Sequence, residues 1–295
     1  MQHEIDSLII KIKGIETFPS VIQKINSMLE DDSVSIKDLA QIIEKDPSIT
    51  ATVLRLSNSS YYGLRSKVTT ISRAITILGF NTVRNITTSA SLMRFYSHNF
   101  PKEFDPKGLW HHCLGCAISS KALLLHTNDD IKEEAFICGL IHDIGKVVQW
   151  QVIPDKMRLV LEKLKSNQEA TEIVVEKDIL GFTHAYVGAR LAQLWHFPER
   201  YYHAILLHHS PKPLIEQSEQ KDIDNETKLK SLLAASIYIG NQLSKALALG
   251  SSTNKNPEFI DPDVWSLMAL SEKDLENIII TIKNNYLEMS RSLHL

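Results

Sequence analysis

The chain has 295 residues, 43% hydrophobic and 23% charged, which excludes a disordered tail or a lipid-embedded bundle and allows a well-formed core. A formal net charge of −3 without a long basic block excludes the electrostatic footprint of general nucleic-acid binding, and no apolar run is long enough for a bilayer. Three cysteines are too few for a disulfide framework, and the opening residues lack the basic-then-apolar pattern of an export signal, so the expectation is a soluble protein of the reducing cytoplasm.

Helix punctuation is legible from Ser35 onward. Ser35 with Asp38 forms a capping-box pattern, followed by Ile36, Leu39, Ala40 and Ile43 on one face. Asp46 caps a new helix with Pro47 in its first turn, and Ile49, Val53, Leu54 and Leu56 follow. Asn58, Ser59, Ser60 and Gly63 end it, the polar side chains serving as a local lock on the backbone. Thr70 precedes Ile71, Ala74, Ile75 and Leu78 at helical spacing, with Gly79 expected as a left-handed terminator and Asn81 as the next cap.

Proline and charge collect at 99–106, which places a boundary between residues 1–98 and residues 99–295. Beyond it, apolar runs at 110–125, 135–150, 157–164, 184–195 and 229–247 read as helices. Residues 216–227 read as a surface loop or a frayed helix end and 251–262 as another loop, and Ser271 with Asp274 caps a last amphipathic helix carrying Leu275, Ile278, Ile279, Ile282 and Tyr286. Nothing in the first hundred residues alternates like a strand, and the second half is helical as well, so the fold class is all-α. Cys113 and Cys116 form a C-x-x-C pair without a partner pair, and are expected to be small core residues. Tyr61, Tyr62, Tyr201, Tyr202, Trp110, Trp150 and Trp195 are expected as core or interface anchors.

Five stretches of the second half carry groups of metal-binding type: His111-His112, His142-Asp143, His184, His208-His209 and the polar Asn241. Imidazole with carboxylate suits iron, zinc, nickel or manganese. Adjacent helical residues point about 100° apart, so His142 and Asp143 reach one ion only where the helix turns or ends. Gly139 and Gly145 bracket the pair and permit close packing there. A metal at Asp143 would lower the pKa of bound water, and Lys146 one turn on could hold a phosphate by charge, which makes Asp143 and Lys146 the catalytic candidates if the site is enzymatic. Against this stands the reading that the histidines merely fill a helical core; His126, His196 and His203 are taken as ordinary core or surface groups.

The run from Asp46 to Ser59, then Tyr62-Gly63 and 74–79, resembles the signature of HDOD domains, bacterial regulatory domains related to HD phosphohydrolases. The similarity begins near Phe18-Pro19 and continues through 109–112, 139–146, 181–185 and 204–209, covering roughly 15–250. It implies an N-terminal helical bundle packed on a C-terminal HD-like helical domain. It also implies metal ligands at His112, His142, Asp143, His184 and His208, with His209 as an extra ligand in multi-metal relatives. The family's late aspartate falls on Asn241, a neutral amide and a poorer ligand. Ser210-Pro211-Lys212 follows His209 where the related HD-GYP phosphodiesterases carry Gly-Tyr-Pro, which argues against that activity.

The resemblance implies a signalling module that binds a partner protein or a nucleotide ligand, with a divalent metal and no organic cofactor. The alternative is a metal-dependent phosphohydrolase acting on a nucleotide or cyclic dinucleotide.

Overall fold

The structure is a computed structural model that describes residues 23–25, 28, 35–97, 99–127, 131–167, 169–218, 224–253 and 257–293. Phe18 and Pro19, where the family resemblance starts, lie outside the described residues, as does the middle of the expected 216–227 loop. The described residues form helices and connections with no strand, as the all-α reading requires.

Local chemistry starts the helices where the sequence places them. The Ser35–Asp38 capping box opens α1 (Ile36–Glu44), with the Asp38 amide donating to Ser35 Oγ and the Ser35 amide to Asp38 Oδ2. Leu39, Ala40 and Ile43 turn inward, whereas Ile36 sits at the rim of that face and is 44% exposed. α2 (Pro47–Ser57) is capped by Asp46, whose Oδ1 accepts from the amides of Ser48 and Ile49 at 3.0 Å each. Asn58 then locks the exit. Its Nδ2 donates to the carbonyls of Leu54 and Val68, at 2.6 and 2.8 Å, and its Oδ1 accepts from the Val68 amide at 2.7 Å.

α3 (Ile71–Leu78) starts at Thr70, but the expected cap at Asn81 is corrected by the structure. Gly79 has φ 86° and ψ 161°, which is a mirror-extended and not a left-handed helical conformation. It therefore ends α3 and begins α4 (Phe80–Leu92) in one residue, a geometry open at low cost only to glycine, and Asn81 lies inside the helix.

A 3-10 turn (Met93–Ser97) and the coil through Asp105 lead to α5 (Pro106–Thr127). There follow α6 (Lys132–Ile141), α7 (Ile144–Val152), α8 (Pro154–Ser166), α9 (Glu172–Leu180), α10 (His184–Leu194), α11 (Glu199–Leu206) and α12 (Lys212–Ser218). α13 (Asn225–Ala246), α14 (Pro262–Ser266) and α15 (Glu272–Leu293) complete the described chain. The stretch expected as a loop from 216 thus begins as the last turn of α12.

α5 is the central helix, packed between α6 and α13, with α15 along a further side. Small residues allow this: a Cβ on Gly139 would stand 2.5 Å from the Ala117 Cα, and one on Gly240 2.2 Å from Ser120 Oγ. Cys113 and Cys116 are free, fully buried residues of that layer, as expected. α10 packs on α7 and α11, α4 on α6, and α15 on α2 as well as α5, so one hydrophobic cluster runs from Leu39 to Leu293 across the 99–106 connection. Trp110, Trp195 and Tyr201 are buried anchors in it, while Trp150 leads a smaller cluster that joins α7, α8 and α9. Among the described residues no helix is long and apolar enough to cross a membrane.

Candidate metal centre

The His142-Asp143 doublet sits where geometry demands. α6 ends at Ile141, α7 begins at Ile144, and the two residues occupy the break, Asp143 with φ −101° and ψ 9°. Both side chains consequently face one interior space, which a continuous helix would not allow. Gly145 lets α7 press onto the start of α10: a Cβ there would lie 2.0 Å from the His184 carbonyl oxygen.

Three more elements bring candidate ligands to that space. α5 supplies His112, α10 supplies His184 at its first residue, and the turn after α11 supplies His208 and His209. His184 Nε2 lies 3.1 Å from Asp143 Oδ1 and His208 Nε2 3.6 Å from the same oxygen. His142 Nε2 and His112 Nε2 lie 3.4 and 3.7 Å from Asp143 Oδ2. His184 Nε2 and His209 Nε2 are 3.0 Å apart. Ligand atoms about 2.1 Å from one ion are about 3.0 Å apart at right angles and about 3.4 Å apart in a tetrahedron, so these spacings are those of a coordination shell. Two ligand groups share the Asp143 carboxylate, one with His184, His208 and His209 and one with His112 and His142, and Glu172, Glu176 and His184 form a third.

The other ring nitrogens are fixed from behind. His142 Nδ1 meets the Gly139 carbonyl at 2.8 Å, His208 Nδ1 that of Ile205 at 2.6 Å, His184 Nδ1 meets Glu176 Oε2 at 2.8 Å, and His112 Nδ1 meets Ser244 Oγ at 3.2 Å. Anchored Nδ1 atoms present each Nε2 to the common space, the usual arrangement of metal-binding imidazoles. His112, His142, Asp143, His184 and His208 are at most 1% exposed, and His209 is half-buried at the rim.

The decisive feature is what these atoms lack. His112 Nε2, His142 Nε2, His208 Nε2, Asp143 Oδ1 and Asn241 Oδ1 are all buried without a hydrogen-bond partner. Each such atom costs about 1–3 kcal/mol, so the set approaches the whole net stability of an ordinary domain. That weighs against histidines as passive core filling and fits a divalent cation.

The protonation pattern agrees for most ligands. Burial pushes His112 down to about 4 and His208 below its usual range; burial, with neighbouring histidines adding to it, drives His142 and His209 far down, leaving neutral imidazoles. Burial would raise Asp143, but the Lys146 ammonium and the surrounding imidazoles outweigh it and hold the carboxyl well below its usual range. Burial would also lower His184, yet Glu176 and Asp143 raise it to about 9, so a metal must displace its proton.

Of each histidine pair the structure separates the roles. His112 faces the cluster, while His111 turns to α15 and meets Tyr286 OH through Nδ1 at 2.8 Å. Exposed His196 and the Glu199-paired His203 stay outside it, and the His126 side chain is not among those described. Asn241 lies beside His112. Lys146 Nζ is buried 2.9 Å from both Asp143 Oδ2 and Glu172 Oε2, and donates to Ser252 Oγ at 3.0 Å.

Glu172 and Glu176 were missed by sequence reasoning, together with their helix. The available signal was an i, i+4 pair of carboxylates on an otherwise apolar turn; both are buried, a rare state for glutamate without a partner.

With this geometry in place, comparison with known proteins is informative. The HDOD domain pattern matches residues 15–211, about two thirds of the sequence. The chain belongs to the HDOD domain family. A curated but uncharacterised protein of Treponema pallidum (strain Nichols) is 26% identical over 201 residues, 68% of this chain and 38% of that protein. The HDOD chain thus spans well under half the length of that relative. A protein from Marinobacter aquaeolei VT8, provisionally named a signal transduction protein, aligns with TM-score 0.73 and 22% identity over 100% of this chain and 66% of that one. One from Shewanella amazonensis SB2B, provisionally named a phosphohydrolase, aligns with TM-score 0.67 and 21% identity over 93% of each chain. These likenesses establish the fold.

Proposed function

We propose that this HDOD chain is a regulatory module that holds a divalent metal, iron, zinc, nickel or manganese, in its histidine cluster and binds a signalling partner or nucleotide ligand. The observation that carries the metal is the convergence of three imidazole Nε2 atoms and one carboxylate oxygen, all dry and unpartnered, on one space. Held there, the ion would act as a Lewis acid that lowers the pKa of bound water. His112, His142, His184 and His208 would ligate it, His209 would close the rim, and Asp143 would bridge the two ligand groups.

Two features favour binding over turnover. Asn241 offers a neutral amide where the wider family carries an aspartate, so the ligand set has less charge to fix an ion pair of metals. The Lys146 ammonium, a candidate for holding phosphate, is engaged by Asp143 and Glu172. The second reading, a metal-dependent phosphohydrolase for a nucleotide or cyclic dinucleotide, draws on the otherwise complete ligand set. The names borne by the Marinobacter and Shewanella proteins correspond to these two readings.

Elemental analysis of the purified chain, with His142→Ala and His112→Gln beside it, tests the proposal. About one or more equivalents of metal, lost in both variants while helical circular dichroism persists, is the expected result. Protein that stays metal-free after reconstitution refutes it. Hydrolysis of phosphodiesters by the metal-loaded wild type would move the conclusion to the second reading.

A further inference from the structure

A cavity of about 170 Å³ is lined by His209 and Glu172, at the edge of the ligand groups, and its lining holds an unusual combination of charges. One wall is the start of α9: Thr171, Glu172 and Ile173 are its cap and first two residues, and no side chain caps it. First-turn amides have no intrahelical acceptor, and the helix end carries partial positive charge. Lys245, one turn beyond Asn241 on α13, also lines the cavity, together with Glu258 and Ser210.

Lys245 differs from Lys146 in one decisive way. Lys146 has two carboxylates at 2.9 Å, whereas the Lys245 ammonium forms no ion pair or hydrogen bond among the described residues. Burial accordingly lowers the Lys245 pKa, with Lys146 adding to the effect. Glu258, Asp143 and Glu172 oppose that lowering from a distance, but none forms an ion pair with the ammonium, and an anion in the cavity would supply a close partner. Glu172 adds a second requirement. Its Oε2 is taken by Lys146, but Oε1 is buried with no partner, so an occupant must bring a donor as well as a negative charge.

We infer that this cavity is an anion subsite in which Lys245 and the amide end of α9 hold a phosphoryl group, while Glu172 accepts from a hydroxyl of the same ligand. A hydroxylated phosphomonoester meets both demands. The volume admits a phosphoryl group and a few further atoms, so the base of a nucleotide would project outside. Because the cavity borders His209, the subsite lies where a phosphate ester could also face the histidine cluster. The inference rests on the ligand-binding reading above and is independent of the metal.

The test is calorimetric titration of the full chain with inorganic phosphate and with ribose 5-phosphate, for wild type, Lys245→Ala and Lys245→Met. The Met variant keeps the apolar stem and removes only the charge, so it remains informative if the Ala variant folds poorly. Saturable binding, tighter for ribose 5-phosphate, weakened tenfold or more in both variants and reduced by salt, is expected. Equal affinity in wild type and Lys245→Met, or no saturable binding at millimolar ligand, overturns the subsite. Elemental analysis of the same samples separates the two conclusions. Lys245-dependent binding to metal-free protein leaves the subsite standing and removes the metal. Metal-loaded protein whose phosphate binding ignores Lys245 does the reverse.

Discussion

Gly145→Ala is the sharpest single perturbation of the histidine cluster, because it replaces no ligand side chain. The added methyl would stand 2.0 Å from the His184 carbonyl oxygen and 3.0 Å from the Gly188 amide nitrogen, both backbone atoms that cannot rotate away. Ordinary contact begins near 3.4 Å, so α7 and α10 must separate by about 1.4 Å at this point. Asp143 precedes α7 directly and His184 begins α10, so the same shift acts on their 3.1 Å approach. Metal sites tolerate ligand displacements of about 0.2 Å, which is several times less. We expect a loss of roughly 1–3 kcal/mol in urea unfolding of the metal-free protein, as for an overpacked core, and loss of most bound metal by elemental analysis. Gly188→Ala is the control on the same interface. Its methyl would meet Ile205 Cγ2 at 3.2 Å, Ile144 Cγ2 at 3.4 Å and the Gly145 amide nitrogen at 3.5 Å, close to ordinary contact, so metal content should be retained. A Gly145→Ala protein with wild-type metal and stability would refute the claim that backbone contact between α7 and α10 sets the ligand geometry.

Three further outcomes follow from the same geometry. Glu176→Gln replaces the carboxylate behind His184 Nδ1 and should weaken metal binding about 10–100-fold in chelator competition; an unchanged affinity would mean that Glu176 does not orient the ring. Asn241→Asp should lower stability in chelator, by burying a further carboxylate, and raise it in added metal; the same sign in both conditions counts against a metal beside residue 241. Asp46 caps α2 and receives both Arg94 guanidinium nitrogens, at 2.8 and 2.9 Å; the Arg94 hydrogen bond, ahead of opposing burial and the backbone amides, holds its carboxyl below the usual range for an aspartate. A depressed folded-state value means that its contribution is present above the unfolded value and lost as pH falls through the folded one. Asp46→Ala should therefore cost about 1 kcal/mol at pH 7 and little at pH 2, whereas Asp46→Asn, which still caps, should cost less at pH 7; a pH-independent difference would exclude the charge.

Much of the fold is legible in the chain because helix ends are decided locally. Ser35, Asp46, Thr70 and Ser271 cap helices through atoms within three residues of themselves, so their chemistry can be read before any packing is known. The His142-Asp143 break is equally local, since two adjacent side chains share a target only where a helix ends. Asn81 failed as a cap for the converse reason: the choice between a polar cap and a glycine hinge at Gly79 depends on how α3 and α4 pack, not on the propensity of either residue.

What the sequence determined by itself was therefore the helical class, most helix starts, the family, and the residue types of the candidate ligand cluster. Tertiary structure alone decided which of them meet. His112 and not His111 faces Asp143 because α5 presents one side to α6 and α13 and another to α15. Glu172 and Glu176 join the cluster, and Lys146 is paired while Lys245 is left unpaired, because α9 and α13 approach α7 from opposite parts of the sequence. Such contacts depend on helix crossings of long sequence separation, where the interaxial distance is set by small residues such as Gly145 and not by any spacing along the chain.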